Sequence, residues 1–584
     1  MVFRPPSWVP PITVAIPDSV PVGEFALNQT GRTASSEEET AFVDGISGTS
    51  YAIKTVRQRV EHLARGLGQR LGWSPDSGSP WDKVVAIYSL NTIDYFVLCW
   101  AVHRLNGICL PLHPTSTAEE ITTHLTKARC RLIFTCRPLM PTCRNVAGEL
   151  SIPSDRIFTI AVSDQYMYEP ALDGSGKDKF QSLEELVIQG SQLAPFPPLQ
   201  WDRERGRSQV AYFCATSGTS GKQKLAMLTH YGLITNLLQI DTFEGHTRAG
   251  WSEVATGAVP YSHAYGIMIG LLAAWRGDTL ITFPRFDMQR MLQAVPIHKI
   301  QRLYLVPPIL AALDANPFFF ELCDLSSVTT VVTGAAPLHQ KITESLNRLQ
   351  PSWKIMHGYG KPAPSPRSCS PEGLTESCVI ATCTSPNDIW PGSSGSVMPE
   401  FRVRLVGPDE QEITGYEQPG EIRFQSPSLF IGYLDDSEAT SAAFDRHGWL
   451  RTGDVGLFRQ GPQGTEHLFV IDRMKDLIKV KGNQVLPGDI EQVLLAHPSI
   501  VAAAVVGVPD DLAGERPFAF LVRSSSIQAE LSEVELTEVI EEHVHSRLDE
   551  THWVDDRIRF LPALPTSGNG KVLKKALREM VTMM

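Results

Sequence analysis

The segment "CATSGTSGKQKLAMLTH", residues 214–230, joins a β-strand pattern to a loop that is dense in polar groups. The residues that lead into it, "QVAYFCAT", have the β-branched and aromatic content of a buried strand. Glycines let backbone N–H groups approach an anion closely, hydroxyls donate further hydrogen bonds, and lysine supplies positive charge. The pattern therefore predicts a phosphate-binding loop made of Thr216, Ser217, Gly218, Thr219, Ser220, Gly221 and Lys222.

This loop differs from the Walker A loop of other nucleotide-binding proteins. Only two residues separate its glycines, and Gln223 follows the lysine where Walker A has serine or threonine. A flexible Ser/Gly linker is the alternative interpretation, although so dense a mixture directly after a strand is uncommon in linkers.

Strand and helix patterns alternate on both sides of the loop. The stretch "DKVVAIYSL" is typical of a strand, "TIDYFVLCWAVHRLNG" of an apolar helix and "TAEEITTHLTKARC" of a capped helix. Such alternation predicts a layered α/β fold. After about residue 395 short strands separated by turns predict a small β-subdomain, and a separate α+β unit follows. We expect an extended lead-in over 1–40, a large N-terminal α/β domain over 41–473 and a C-terminal α+β domain over 474–584.

Composition narrows the class of partner. The 52 Lys and Arg residues against 64 Asp and Glu residues give a net charge of −12, which argues against nucleic acid and anionic membrane surfaces. The longest apolar run, residues 264–275, is shorter than the about 20 residues that a membrane-spanning helix needs. The N-terminus is rich in proline and lacks the apolar run of a signal peptide. We therefore expect a cytoplasmic protein with no nucleic-acid partner, no membrane span and ten reduced cysteines.

Further segments, in order along residues 40–580, resemble the adenylate-forming family of acyl-CoA synthetases, luciferases and peptide-synthetase adenylation domains. They are "TSGTSGKQK", "PYSHAYG" (260–266), "TGAAPL" (333–338), "GWLRTGD" (448–454), "VIDRMKDLIKVKGNQ" (470–484) and "PTSGNGK" (565–571). The hinge-like fifth segment and "HAYG" are most similar to the branch of 4-coumarate–CoA ligase and luciferase. A stand-alone chain of this kind resembles fungal acyl-CoA ligases. The resemblance implies a C-terminal domain that moves relative to the rest.

The resemblance also implies residue roles on the acyl and adenine side. His263 would lie near the acyl carboxylate, at the mouth of a pocket lined by Ala264, Tyr265 and Gly334. Gly334 and Ala335 would let adenine and the acyl group lie against the backbone, and Tyr359 would lie against the adenine ring. A histidine that merely packs at a helix start is the alternative for His263.

Other residues would act on phosphate, ribose and metal. Thr375 would bind phosphate, Glu376 would hold Mg²⁺, and Asp454, at the end of a turn, would accept hydrogen bonds from both ribose hydroxyls. Arg473 would bind ribose or phosphate oxygens, and Lys475 would be the hinge between the domains. The residues that would enter the site when the small domain closes are Lys479, Gly482 and Gln484, and Lys571 would be the mobile catalytic lysine. An ordinary turn aspartate, a solvated basic strand face and an exposed terminal lysine are the alternatives.

One family motif is interrupted in this chain. "HGYGKPAPSPRSCSPEGLTESC" (357–378) becomes "HGYGLTES", close to the family pattern, when the thirteen residues 361–373 are removed. A real surface insertion, a loss of activity and a translated intron are three interpretations that the sequence leaves open. A long loop costs little free energy, about 0.6 kcal/mol per doubling of length, but this one separates Tyr359 from Thr375 and Glu376.

The function that the resemblance implies is ATP-dependent acyl-CoA ligation. A small-molecule carboxylic acid, a specialised-metabolism acid by resemblance, would react with ATP and Mg²⁺ to an acyl-adenylate and then with coenzyme A. The alternatives are an acyl-AMP ligase that loads a separate carrier protein and a non-catalytic nucleotide- or acyl-binding protein. A downstream acyltransferase or synthase would use the product. The terminal "VTMM" differs from the peroxisomal S-K-L signal.

Overall fold

A computed structural model gives the architecture of the chain. It describes residues 1–28, 38–163, 180–199, 201–216, 223–245, 248, 252–334, 338–357, 368–369, 374–390, 392–461, 463–481, 483–510, 512–524, 532–565 and 572–582.

The helices are α1 (Val22–Asn28), α2 (Ile53–Leu71), α3 (Tyr95–Arg104), α4 (Ala118–Lys127), α5 (Met140–Glu149), α6 (Leu183–Ser191), α7 (Arg205–Ser208), α8 (His230–Gly245), α9 (Ala264–Arg276), α10 (Met288–His298), α11 (Pro307–Asp314), α12 (Phe319–Leu322), α13 (Gln340–Leu349), α14 (Ser437–Ala443), α15 (Pro487–Leu495), α16 (Glu533–His545) and α17 (Lys574–Thr582).

The strands are β1 (Thr40–Asp44), β2 (Ser50–Ala52), β3 (Val84–Tyr88), β4 (Ile108–Leu112), β5 (Ile133–Thr135), β6 (Ile157–Thr159), β7 (Gln181–Ser182), β8 (Val210–Thr216), β9 (Lys224–Thr229), β10 (Val254–Gly257), β11 (Thr279–Thr282), β12 (Arg302–Leu305), β13 (Thr330–Thr333), β14 (Leu338–His339), β15 (Lys354–His357), β16 (Ser368–Cys369), β17 (Thr382–Cys383), β18 (Ser396–Val397), β19 (Arg402–Val406), β20 (Gly420–Gln425), β21 (Leu450–Gln460), β22 (Glu466–Arg473), β23 (Ile478–Val480), β24 (Asn483–Val485), β25 (Ile500–Asp510), β26 (Gly514–Arg523) and β27 (Ile558–Phe560).

The first large sheet carries the strand that leads into the predicted phosphate loop. Its order is β7-β6-β5-β3-β4-β8-β9, and its pairs are parallel apart from the antiparallel pair β8–β9. Every residue of β3 and β4 is buried, as expected of strands that are covered on both faces by helices. The predicted loop therefore joins two neighbouring antiparallel strands, since β8 ends at Thr216 and β9 begins at Lys224.

The second large sheet supplies the other segments singled out in the sequence. Its order is β15-β13-β12-β10-β11-β1-β2, and only β1–β2 is antiparallel. Because neighbouring parallel strands end at the same edge, the residues after β10, β13 and β15 leave the sheet on one side. The segments that contain His263, Gly334 and Tyr359 follow these three strands in turn.

Four smaller sheets complete the described architecture, and two of them are the two-stranded pairs β14–β16 and β17–β18. Strands β19 to β22 form an antiparallel sheet in sequence order, and β24-β23-β26-β25, with β27 parallel to β26, form the C-terminal sheet. The C-terminal sheet and its helices α15 and α16 share an apolar cluster that includes Ile478, Ile490 and Ile540. The predicted α/β class, with a large N-terminal and a small C-terminal part, is confirmed.

The N-terminal residues are more tightly packed than an extended lead-in would be. Phe3 pairs with Val403 in both directions at 2.8 and 3.0 Å, and its ring stacks on Phe458 with the ring centroids 3.7 Å apart. Residues 22–28 form α1, in which Phe25 stacks on Trp275 of α9. The sequence did not predict this helix, because its stability comes from burial against distant helices rather than from local signals.

No helix in the described residues is both long enough and apolar enough to cross a bilayer. Residues 264–275, the longest apolar run of the sequence, belong to α9, which is buried along nearly its whole length.

Candidate active site

The ends of strands β8 and β13 each place a buried hydroxyl at the candidate site. The side-chain oxygens of Thr216 and Thr333 are buried and have no hydrogen-bond partner in the described part of the chain. A buried polar atom without a partner calls for an explanation, and a bound ligand is one. Residues 217–222 of the predicted phosphate loop, and Ala335, lie outside the described residues, whereas Gly334 is buried directly after β13.

Glu376 is held in place by two hydrogen bonds from one neighbouring segment. It lies in a single 3-10 turn, Thr375–Ser377. The hydroxyl of Tyr433 donates to Glu376 Oε1 at 2.7 Å, and the backbone N–H of Phe430 donates to the Glu376 carbonyl at 2.8 Å. The carboxylate also accepts a hydrogen bond from the Glu376 backbone, and a carboxylate has capacity for further ligands beyond these two bonds.

The segment that holds Glu376 is itself paired with β9. Met227 N–H donates to the Gly432 carbonyl at 3.0 Å, and Leu434 N–H donates to the Leu225 carbonyl at 2.8 Å. Because β9 is the strand that follows the predicted phosphate loop, that loop and Glu376 are anchored to the same piece of backbone.

Asp454 and Arg473 face each other across the pair β21–β22. They are directly opposite in register, and Arg473 Nε donates to Asp454 Oδ1 at 3.2 Å. The prediction that Asp454 ends a turn is wrong, because it lies inside the long strand β21. Gly453, directly before it, has a φ of +69°, and the pairing of β21 with β20 shifts register across this stretch, between Glu421 and Arg423.

The charges of Asp454 and Arg473 influence the pKa of Glu376. Burial raises the pKa of the Glu376 carboxyl group, Arg473 lowers it and the Asp454 carboxylate raises it. The three side chains therefore belong to one electrostatic cluster.

The predicted acyl-pocket residues lie at the start of α9. His263 is the residue before the helix, but its side chain does not cap it. Ala264 is buried, and Tyr265 donates its hydroxyl to the Val332 carbonyl at 3.3 Å, two residues before Gly334. Tyr265 also packs edge-on against Tyr304, with ring centroids 6.2 Å apart. This local arrangement can form one wall of a pocket between α9 and the end of β13.

Two further residues near the site were missed by sequence reasoning. Tyr433 is one, and His113, directly after β4, is the other: its ring centroid lies 5.1 Å from that of His263. Burial, followed by the charge of His263, lowers the pKa of His113 to about 4, so this imidazole is neutral at physiological pH. No motif marked either residue, because each is recognisable only through a contact with a distant part of the chain.

The remaining predicted residues lie on the C-terminal side of the candidate site or outside the described residues. Lys475 is in the 3-10 turn Met474–Asp476 between β22 and β23, and Lys479 and Gln484 are opposite each other on the hairpin β23–β24. The Lys479 side chain is exposed. Tyr359, Gly482 and Lys571 lie outside the described residues.

The residues present fit a Mg²⁺ ion that is shared with a nucleotide. Mg²⁺ in such sites is bound by one or two carboxylates together with substrate phosphates and water. Glu376 offers one carboxylate, and no group of three or more His, Cys, Asp or Glu side chains able to form an all-protein metal cage occurs in the described chain. The single carboxylate therefore suits a metal that arrives with ATP.

Two protein-family models match the chain, one over its large N-terminal region and one over its smaller C-terminal region. Residues 31–434 match the model of the AMP-binding enzyme family, and residues 489–571 match the model of the AMP-binding enzyme C-terminal domain.

Curated relatives extend over the whole chain. The acyl-CoA ligase easD of Emericella nidulans is 52% identical over 99% of this chain and 100% of its own length. The acyl-CoA ligase cm3C of Cordyceps militaris is 50% identical over 99% of this chain and 90% of its own length.

Solved structures share the fold at low sequence identity. ATP-bound MatB from Rhodopseudomonas palustris superposes with a TM-score of 0.77 at 22% identity, over 96% of this chain and 99% of that one. The anthranilate CoA ligase AuaEII, solved with anthranoyl-AMP, gives a TM-score of 0.76 at 19% identity, over 97% and 98%. The two family models and the two relatives that cover nearly the whole chain lead to one conclusion, and the shared fold is consistent with it. The chain belongs to the AMP-binding enzymes.

Proposed function

We propose that this AMP-forming acid–thiol ligase activates a small carboxylic acid with ATP and transfers the acyl group to coenzyme A. The observation that carries the proposal is the electrostatic cluster of Glu376, in the 3-10 turn Thr375–Ser377, with Asp454 and Arg473 on the antiparallel pair β21–β22. It combines a buried carboxylate, suited to a metal, and a carboxylate–guanidinium pair, suited to ribose and phosphate. The full-length relatives that are named acyl-CoA ligases support the choice of reaction.

In the first step the acid's carboxylate oxygen bonds to the α-phosphorus of ATP and pyrophosphate leaves. Both reactants are anions, so the residues must offset their repulsion and hold them in line. The loop 216–222 would bind phosphate oxygens, Asp454 would accept the ribose hydroxyls, and Lys571 would approach the reacting phosphate. Mg²⁺ held by Glu376, with Thr375 beside it, would supply charge neutralisation on the phosphates.

In the second step the sulfur of coenzyme A bonds to the acyl carbon, AMP leaves and the thiol proton passes to solvent. The family resemblance suggests that the C-terminal part, from residue 474, rotates about Lys475 between the steps, which would withdraw Lys571 and bring in Lys479, Gly482 and Gln484. The position of Lys475 between the sheets β19–β22 and β23–β27 supports this assignment.

The product and its location follow from the same chemistry. The acyl-CoA is an activated thioester, and we expect an acyltransferase or a synthase to consume it. We place the reaction in the cytoplasm, where ATP and coenzyme A are supplied together; cell fractionation with an antibody against the chain would test this.

The test is a mass-spectrometric turnover assay of the full chain with ATP, Mg²⁺, coenzyme A and a panel of aromatic, short, medium and long carboxylic acids. We expect AMP and one class of acyl-CoA. Acyl-adenylate that accumulates and does not react with coenzyme A would favour transfer to a carrier protein instead. If the chain binds Mn²⁺ and ATP but forms no product from any acid, the result would favour a non-catalytic nucleotide-binding protein.

A further inference from the structure

We propose that Tyr433 is a positioning residue, which orients the Glu376 carboxylate so that its second oxygen faces the metal–nucleotide complex. This inference rests on the proposed function, because it assumes that Glu376 binds Mg²⁺. Tyr433 does not touch ATP or the acid in this scheme, and it acts through the carboxylate alone.

The contact itself has the geometry of a strong hydrogen bond. Tyr433 Oη and Glu376 Oε1 are 2.7 Å apart, and the acceptor is a carboxylate, so the bond is charge-assisted. By occupying Oε1 it fixes the rotation of the carboxylate about its terminal bond and leaves Oε2 for a ligand. Partners of this kind, one step removed from the metal, commonly change metal affinity about 10- to 100-fold when they are removed.

The ring of Tyr433 is fixed on several sides. Its backbone N–H donates to Thr440 Oγ1 at 2.9 Å, and its backbone forms an antiparallel bridge with Ala226 of β9. Phe430 packs edge-on against the ring with centroids 4.9 Å apart. Lys224 Nζ lies 4.9 Å from the ring centroid, a cation–π distance. A hydroxyl on a ring held in this way has little freedom to leave the carboxylate.

These contacts also connect Glu376 to the predicted phosphate loop. Lys224 is the first residue of β9, two positions after the end of that loop, and Tyr433 bridges to the same strand. A shift of β9 would therefore move Tyr433, and with it the direction of the carboxylate. The metal ligand and the phosphate loop would adjust together.

The opposing interpretation is that Tyr433 only fills space between β9 and the turn at 375–377. In that case loss of the hydroxyl would leave metal binding unchanged, since the phenyl ring keeps the packing. The chain offers a matched control. The hydroxyl of Tyr416 also donates to a glutamate, at 2.5 Å from Oε1 of Glu466, the first residue of β22. Tyr416 has no assigned role in the candidate site.

The experiment compares wild type, Tyr433→Phe, Tyr416→Phe and Glu376→Gln by two measurements. The first is electron paramagnetic resonance of protein-bound Mn²⁺ in the presence of the α,β-methylene analogue of ATP, which cannot transfer its adenylyl group because its α,β bridge does not break. The second is the Mg²⁺ concentration that gives half-maximal formation of acyl-adenylate. We expect Tyr433→Phe to weaken both by about 10- to 100-fold while kcat at saturating Mg²⁺ stays within a few-fold of wild type. Tyr416→Phe should match wild type in both.

The outcomes separate the two levels of the proposal. If Tyr433→Phe binds Mn²⁺ as tightly as wild type while Glu376→Gln does not, the positioning role of Tyr433 is overturned and the proposed metal ligand stands. If Glu376→Gln itself binds Mn²⁺ normally, the metal assignment fails and the inference fails with it. Melting temperatures of the four proteins show whether a loss of binding reflects a loss of fold.

Discussion

Arg473 lies directly opposite Asp454 on neighbouring antiparallel strands, and its Nε donates to the Asp454 carboxylate at 3.2 Å. The aspartate is almost completely buried, with its side chain 2% exposed, whereas the arginine side chain is 15% exposed. The guanidinium thus holds a carboxylate in a place where water is largely excluded.

The first prediction concerns ribose recognition by this carboxylate. Asp454→Asn should weaken ATP binding about 10- to 100-fold, because hydrogen bonds to a charged group contribute about 1.5–3 kcal/mol each. Calorimetry with ATP and with 2′-deoxy-ATP is the measurement. Wild type should prefer ATP and the variant should lose most of that preference. Asp409→Asn, in an exposed turn of the same sheet, is the control. An Asp454→Asn variant that still discriminates between the two nucleotides would contradict the assignment.

The second prediction separates the two half-reactions at Lys571. Lys571→Ala should slow adenylation by about 10²- to 10³-fold, the usual effect of removing one group that stabilises a charged transition state. Formation of the thioester from supplied acyl-adenylate should change far less. Lys575→Ala removes a nearby exposed lysine, paired with Glu579 at 3.8 Å, and should leave both steps unchanged. Equal losses in both half-reactions would rule out the assigned role.

The third prediction concerns the interruption at residues 361–373. Within it the structure places Ser368–Cys369 as a short strand paired with Leu338–His339, and the rest of the interruption lies outside the described residues. Deleting 361–373 restores the uninterrupted motif, so we expect the deletion variant to form acyl-adenylate at least as fast as the full chain. A variant in which these thirteen residues are replaced by Gly and Ser separates the effect of length from that of sequence. A large loss on deletion would show that the insertion is part of the working enzyme.

The fourth prediction follows from two buried histidines at the junction of α1, α3 and α8. His103 Nε2 donates to the Ala211 carbonyl at 3.1 Å, His230 Nδ1 accepts the Val22 N–H at 3.1 Å, and their ring centroids are 4.7 Å apart. Burial lowers the pKa of His103 to about 4 and also lowers that of His230. Both are therefore neutral in the folded protein, whereas the unfolded chain takes up protons below a pH of about 6.5.

Because the unfolded state then binds more protons, the free energy of unfolding should fall as pH decreases from about 6.5 to 4, by about 3 kcal/mol for His103 alone. Melting temperature measured across this range is the test. His103→Gln should flatten the dependence, while His447→Gln, on an exposed turn, should reproduce the wild-type curve. An unchanged slope in His103→Gln would contradict the origin proposed for it.

Features with a local cause were predictable from the sequence. Helix α2 ends at Leu71, and Gly72 follows with a φ of +70°, which only glycine adopts easily, so the glycine marks the helix end in the sequence. Helix α4 begins with a capping box between Thr117 and Glu120, which the sequence "TAEE" displays. The strand before the phosphate loop was equally visible from its composition.

Features that depend on distant contacts were not predictable. The Tyr433–Glu376 bond joins residues 57 positions apart, and neither the spacing nor the residue types mark it. Helix α1 is stabilised by the stacking of Phe25 on Trp275, and no local cap or periodicity indicates that contact. Gly453 shows how the opposite error arises: the glycine suggested a turn, although β21 continues through it with a positive φ and a register shift against β20.

The position of β1 has a consequence for synthesis of the protein. This strand lies between β2 and β11, and the Thr279 hydroxyl donates to the Thr40 carbonyl across 239 residues of sequence. A ribosome that adds about 5–20 residues per second needs roughly 10–50 s to deliver that partner. For that time the newly made strand has one edge without its native neighbour, which is a site where chaperones bind and where nascent chains aggregate. Expression yield should therefore respond to the translation rate between these two strands more than to the rate in the C-terminal part, whose long hairpin β25–β26 pairs within itself.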